Sequence, residues 1–164
     1  MATFDYASME SPVGVLLIAR DESGLRRILF AKGRREVRPD PGWRENPQAL
    51  KEAIRQLDAY FAGKLREFTL PLAPEGTPFQ LRVWDELLKI PYGTTTSYGL
   101  LARRLGEPKA SRAVGLANGA NPIAIVIPCH RVIGSDGSLT GYGGGLKSKE
   151  WLLAHERGQL NLPM

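Results

Sequence analysis

Ile123-Ala124-Ile125-Val126-Ile127-Pro128-Cys129-His130-Arg131 is an apolar run that ends in the only cysteine of the chain and one of its two histidines. β-Branched residues in a row, closed by proline, read as a buried strand that delivers the thiol to the edge of a core. A lone cysteine is by itself more often a small buried apolar residue. Polar residues placed directly after a core segment favour a site instead. Thiol chemistry needs thiolate, and a neighbouring imidazole with a carboxylate is a common way to make one near neutral pH.

Downstream, Val132-Ile133-Gly134 and Leu139 flank Ser135-Asp136-Gly137-Ser138 and read as a hairpin. Gly141-Tyr142-Gly143-Gly144-Gly145 is too rich in glycine for a helix or a good strand and lacks the spacing of a phosphate-binding loop. It reads as a mobile flap or a close backbone approach to a ligand. A helix over residues 148–157, carrying Trp151, Leu152, His155 and Glu156, stops at Gly158. His155 is expected to be a packing or surface residue, and Trp84 and Trp151 core.

Upstream, Ser97 can cap a short helix over residues 98–105, closed by Gly106, and a turn through Glu107-Pro108 leads to a second helix over about 109–118. Those proportions are those of a helix-turn-helix, which many helical hairpins share. The second helix is small-sided (Ala110, Ser111, Ala113, Gly115, Ala117), with Arg112 its main long side chain. Close packing against another helix and a smooth surface for DNA both account for that pattern. Arg103, Arg104 and Lys109 could meet phosphates or form a solvated basic face.

Thr77-Pro78-Phe79-Gln80 is a capping-box start for a helix whose buried face carries Phe79, Val83, Leu87 and Ile90, with Trp84 and Leu88 beside them. The stretch around Pro71-Leu72-Ala73-Pro74-Glu75-Gly76 marks a domain boundary, giving domains over residues 1–76 and 77–164. In the first, residues 13–19 and 25–30 flank Asp21-Glu22-Ser23-Gly24 and form a hairpin, and Phe4 and Tyr6 supply a further strand. Residues 33–47 are an irregular connection. Asn46-Pro47 then opens a helix with Leu50, Ile54, Leu57 and Phe61 on its apolar face and Gly63 as its stop. The fold class is thus an α/β N-terminal domain, a small antiparallel sheet plus helix, followed by a mainly helical C-terminal domain with a helix-turn-helix.

At 164 residues and 43% hydrophobic, the chain has the composition of an ordinary globular protein. Twenty-two Lys and Arg against 17 Asp and Glu give a net charge of +5, which weakly favours a polyanionic partner. One cysteine excludes an internal disulfide and a multi-cysteine zinc site and fits a reducing compartment. Neither a signal-peptide pattern nor an apolar stretch of about 20 residues is evident, so a cytoplasmic protein with no membrane association is expected.

Pro128-Cys129-His130-Arg131-Val132, Asn121-Pro122, Ser97-Tyr98-Gly99, Arg112-Ala113-Val114-Gly115 and Lys149-Glu150-Trp151-Leu152-Leu153-Ala154-His155-Glu156 together resemble the O6-alkylguanine-DNA alkyltransferases. The likeness covers residues 77–158 in order; the first 75 residues match only in general plan. It implies single-turnover DNA repair, in which an alkyl group of O6-alkylguanine, and of O4-alkylthymine, moves irreversibly to Cys129 after base flipping. His130 then resembles the general base, acting through a water, and Glu156 the carboxylate that orients it. Asn121 resembles a hinge that braces the recognition helix against the active-site loop, and Tyr98 the phenol that protonates or hydrogen-bonds the departing guanine. Arg112 resembles the finger that enters the duplex. Ala113, Gly115, Lys109 and Arg103 belong to the DNA-binding face by the same likeness. Tyr142, Gly143 and Gly144 line the pocket, and the Cys129 and Val132 carbonyls accept the guanine amino group.

The resemblance implies double-stranded DNA containing O6-alkylguanine as partner and a monomer as the working unit. No cofactor and no metal are expected, since the cysteines and histidines of zinc-bearing relatives are missing from this sequence. Ala124 stands where some relatives have a second proline. Three other functions compete. A non-catalytic sensor of alkylated DNA would lack the acceptor cysteine. A cysteine hydrolase would turn over on acyl substrates without DNA. A helix-turn-helix transcription factor would need more side chains for reading base edges than the second helix offers.

Overall fold

The hairpin forms where its turn residues place it. β2 (Leu16–Asp21) and β3 (Gly24–Phe30) pair antiparallel with Leu16 opposite Phe30, and β1 (Asp5–Met9) pairs antiparallel with β2. A fourth strand, β4 (Arg44–Glu45), joins β1 in parallel, giving the order β3-β2-β1-β4. The sheet is therefore mixed rather than antiparallel. The irregular connection after β3 brings Arg44 alongside Asp5, where an ion pair of 2.9 Å fastens the added strand. The computed structural model describes residues 3–158; Met1, Ala2 and residues 159–164, which the two expected domains include, lie outside the described residues.

Asn46 does not cap the first helix. Its side-chain amide donates to Asp5 at 3.2 Å, and the chain enters through a single 3-10 turn, Pro47–Leu50, before α1 (Lys51–Phe61). The buried face of α1 is Ala53, Gln56, Leu57 and Tyr60, rotated from the expected one, so that Ile54 and Phe61 are only half-buried. Gly63, in the left-handed region at φ +76°, ends the helix as expected.

Thr77 opens α2 (Pro78–Leu87) with both hydrogen bonds of the capping box in place. Val83, Trp84 and Leu87 are buried, but Leu88 sits at the C-cap where the chain turns away from the core, and is 45% exposed. Ser97 caps α3 (Tyr98–Arg104), and α4 (Ser111–Gly119) packs against both α3 and α2. The Trp84 indole N–H donates to the Ala117 carbonyl at 2.9 Å, fixing α2 to the small-sided helix.

Residues 123–127 are buried, but they are not a strand. One parallel bridge joins Ile123 to Ile28 of β3, after which the chain coils so that the Ile127 N–H returns to the Ile123 carbonyl at 3.0 Å. Ile125 takes a left-handed φ of 73° while its side chain stays fully buried. The apolar pattern reported burial correctly; the turn is closed by backbone bonds that no pattern encodes.

The expected hairpin after the cysteine is also absent. The Ser135-Asp136-Gly137-Ser138 turn closes through Gly134 N–H to the Ser138 carbonyl, yet β6 (Val132–Ile133) pairs in parallel with β5 (Thr96–Ser97) instead of with the segment after the turn. The chain then reaches α5 (Leu146–Glu156). A single apolar cluster runs through both halves, including Leu16 and Ile28 with Leu87, Leu101 and Ile123. Among the described residues, no helix is long and apolar enough to cross a membrane.

Candidate active site and DNA-binding surface

Pro128 ends the coiled apolar segment and a 3-10 turn, Cys129–Arg131, sends three consecutive side chains in different directions, all of them buried. His130 Nε2 lies 2.7 Å from Glu156 Oε2. An ionised carboxylate only accepts, so Nε2 carries the proton and Nδ1 is left as the bare acceptor. Nδ1 is buried and has no hydrogen-bond partner among the described residues. Arg131 grips the same carboxylate with two charge-assisted bonds, Nε to Oε1 at 2.7 Å and Nη2 to Oε2 at 3.0 Å, and spends Nη1 on the Ile90 carbonyl. The Tyr60 hydroxyl, from α1, donates to Oε2 at 2.7 Å.

These environments set the resting charges. Burial pushes the Cys129 thiol above its usual pKa, against the pull of Asn121 and of the Lys149 ammonium. Burial likewise holds His130 below its usual value, although Glu156 opposes it. Burial would raise Glu156, but the hydrogen bonds from His130 and Arg131 and the Arg131 charge prevail and keep it well below the carboxylate range. At neutral pH the site thus rests as a neutral thiol and a neutral imidazole beside a carboxylate. Such a thiol becomes nucleophilic only when a base takes its proton during the reaction.

Cys129 lines a cavity of about 410 Å³ together with Asn121, Ala124, Tyr142 and Gly143. Asn121 bridges the end of α4 and the segment before the thiol: its amide donates to the Ile127 carbonyl at 2.8 Å and accepts from the Ile123 N–H at 3.0 Å. The glycine segment is a close backbone approach. Arg34 N–H donates to the Gly143 carbonyl at 3.0 Å, and a Cβ on Gly144 would meet the Phe30 ring at 2.8 Å.

Residues 78–158 match the 6-O-methylguanine DNA methyltransferase DNA-binding domain, and residues 5–74 match the ribonuclease-like domain of the same proteins. The methylated-DNA–protein-cysteine methyltransferase of Methanosarcina acetivorans is 56% identical over 92% of this chain and 97% of its own length. The chain belongs to the O6-methylguanine DNA methyltransferase family. The protein of that name from Mycolicibacterium paratuberculosis is 53% identical over 93% of this chain and 92% of its own. Among solved structures, the O6-methylguanine methyltransferase of Mycobacterium tuberculosis superposes with a TM-score of 0.89 at 48% identity, covering 98% of this chain and 96% of that one. The same organism's protein in complex with DNA gives 0.88 at 49%, covering 94% of each. Membership carries the family's activity, direct reversal of DNA alkylation damage by transfer to a cysteine of the protein itself.

Within this methyltransferase the expected site residues fall into three groups. Cys129, Asn121, Tyr142 and Gly143 share the cavity, and His130 and Glu156 form the dyad behind it. Tyr98, half-buried on α3, stands apart from the cavity lining: its hydroxyl hydrogen-bonds Thr140 at 2.7 Å and its ring packs near Gly115 of α4. Val132 is fully buried, and its carbonyl takes a 2.7 Å bond from Lys149, which also reaches the Thr140 carbonyl. Arg112, Ala113, Lys109 and Arg103 are exposed on α4, the turn before it and α3. The packing reading of α4 holds for one face, where Ala117 and Asn118 are buried, while Arg112, Ala113 and Leu116 face outward.

Sequence reasoning missed Arg131, Lys149, Tyr60 and Asn118 as members of this site. A lysine in the second turn of a polar-looking helix gives no sign of being fully buried. Phe30, Arg34 and Arg35 of the first half also line the cavity, although the motifs that carry the resemblance all lie in the second half. Their only signal in the sequence is position, at the end of the hairpin and just beyond it. His155 packs as expected, stacked on Trp151 with Nε2 at 2.7 Å from the Tyr60 carbonyl; Trp84 is core, and Trp151 is half-buried.

Proposed function

We propose that this protein, acting as a monomer in the cytoplasm, repairs O6-alkylguanine, and O4-alkylthymine, in double-stranded DNA by one irreversible transfer to Cys129. The observation that carries the reading is a buried cysteine on the wall of a cavity roomy enough for a base, next to a His130–Glu156 pair whose Nδ1 is free to take a proton. An alkyl group on O6 lies inside the base stack, so the nucleotide must be turned out at a cost of a few kcal/mol. Arg112, exposed on α4, fills the stack, while Arg103 and Lys109 hold phosphates and Ala113 and Gly115 let the helix backbone come close.

In the cavity the thiol proton passes to His130 Nδ1 through a water, and sulfur attacks the alkyl carbon in line with the C–O6 bond. The S–C bond forms as the C–O6 bond breaks, and its electron pair goes to the guanine. Tyr98 exchanges its Thr140 partner for the departing base and gives it the phenol proton, so that guanine leaves neutral; the phenolate then regains a proton from solvent as the His130 imidazolium releases the one it took from the thiol. Asn121 keeps the thiol turn in register with α4. The Cys129 and Val132 carbonyls receive the base's amino group, and the Tyr142, Gly143 and Gly144 backbone closes over it. The thioether left on Cys129 has no base placed to cleave it, so the chain is spent, and neither metal nor cofactor takes part.

Intact-mass measurement after mixing with a duplex that contains O6-methylguanine tests this. The mass should rise by one methylene equivalent, localised to the Cys129 peptide, whatever the excess of DNA. Product formed well beyond the amount of protein would refute single use and revive the hydrolase reading.

A further inference from the structure

We propose that Tyr60, which reaches the site from the N-terminal half, is a positioning residue for alkyl transfer: its hydroxyl donates to the Glu156 oxygen that His130 also holds, and so sets how much negative charge that carboxylate presents to the imidazole. The proposal rests on the reading of Cys129 as acceptor and His130 as its base.

Three observations carry it. Tyr60 is fully buried, and its hydroxyl lies 2.7 Å from Oε2, the same separation as His130 Nε2 from that atom. Oε2 also takes Arg131 Nη2 at 3.0 Å, so three donors share one oxygen. Each donor withdraws charge from it, and removing any one leaves more for the other two. The Tyr60 ring is held independently of the hydroxyl, edge-on to Phe61, Tyr92 and His155, and its carbonyl meets His155 Nε2. The ring therefore has no freedom to swing the hydroxyl elsewhere. Burial and the negative charge of Glu156 also hold the phenol far above its usual pKa, so it remains a donor at every working pH.

The groups facing His130 are Glu156 and Lys149 from α5 and Arg131 from its own turn; those facing the Tyr60 hydroxyl are Glu156, Arg131 and Tyr92. Glu156 is the one carboxylate among them. A change in what it presents reaches His130 directly, with no second acid to dilute it. The sign follows: fewer donors on Oε2 leave more negative charge, imidazolium is favoured, and His130 protonates at higher pH. His130 must be neutral to accept the thiol proton, so the acid limb of the transfer rate moves the same way.

Tyr60→Phe removes the hydroxyl and keeps the ring. Single-turnover transfer from O6-methylguanine duplex should show an acid-limb midpoint raised by about half to one pH unit, with the plateau rate at higher pH kept within a few-fold. Ring-nitrogen NMR of the two histidines should show the same rise for His130 with no DNA present. Replacing Tyr60 by 3,5-difluorotyrosine, a stronger donor of nearly the same shape, should move both readings the opposite way. With Glu156→Gln in the background, Tyr60→Phe should shift nothing. An equal loss of rate at every pH with an unmoved His130 would make the hydroxyl a packing group and overturn the proposal, as would unmoved midpoints in both Tyr60 variants. If the unmodified protein took up no methyl group, the alkyltransferase reading would fail instead, while the His130 titration would still read Tyr60.

Discussion

Arg131→Met removes the guanidinium and keeps an apolar side chain of similar length in a site where the arginine is 7% exposed. The loss is large because of what remains. Glu156 forfeits two charge-assisted bonds, at 2.7 and 3.0 Å, and the Ile90 carbonyl loses its 2.7 Å donor. A buried carboxylate deprived of its partner typically costs about 3–5 kcal/mol. At roughly 2–4 °C per kcal/mol for a chain of this size, the melting temperature should fall by about 6–20 °C. Arg131→Met with Glu156→Gln removes both charges together and should recover much of that loss, because no unpaired charge stays inside. Urea titration of the four proteins at pH 7.5 gives the cycle directly. A single-variant loss under about 1 kcal/mol, or a double variant no better than Arg131→Met, would mean that solvent reaches the carboxylate. Glu156 could then not act as the dry, charged anchor of His130.

Arg112→Ala should slow transfer from duplex DNA far more than reaction with free O6-alkylguanine, since only the duplex needs its stack held open; equal losses on both would assign Arg112 to folding or general binding. Gly33→Ala should destabilise the protein and blunt reaction, because a Cβ there overlaps the Gly143 carbonyl, a backbone atom that cannot step aside; an unchanged denaturation midpoint would show that the two segments do not hold each other. Acid should weaken the fold in two stages. Burial keeps His130 neutral in the folded chain below its usual pKa of about 6.5, so the unfolded chain protonates first and stability falls as pH drops through that value. Glu156, held low by His130 and Arg131 against the effect of burial, adds a further loss as pH drops below about 4. A melting temperature flat from pH 7 to 4 would contradict the His130 assignment, and one flat from pH 4 to 2 the Glu156 assignment.

The parts of this fold that could be read in advance are those decided within a few residues. Thr77 and Gln80 satisfy each other across one helical turn, Ser97 caps α3 from the adjacent position, and Gly63 and Gly106 take the left-handed backbone that ends a helix. What could not be read is decided across the chain. Residues 123–127 look like a strand because β-branched residues are buried in strands, yet only their single bridge to Ile28 fixes how that burial is achieved. Lys149 sits in a helix with almost no amphipathic pattern, and its burial is compensated by two carbonyls 17 and 9 residues away. Cys129 and His130 were legible because they are adjacent in one motif, whereas Glu156, 26 residues further on, entered only through the family resemblance. Tyr60, 96 residues from its carboxylate, left no local trace.

Ile125 gives the reactive turn an unusual source of precision. A β-branched residue in the left-handed region costs about 1–2 kcal/mol, and burying an isoleucine side chain returns about 1.5–3 kcal/mol. The left-handed backbone of Ile125 is held with its side chain fully buried in the core, and Cys129 lies four residues further along the same coil. Thiol placement is thus a property of the whole apolar interior rather than of the groups around the sulfur. Mutations far from the cavity that merely loosen the interior should then act as reactivity mutations before they act as unfolding ones.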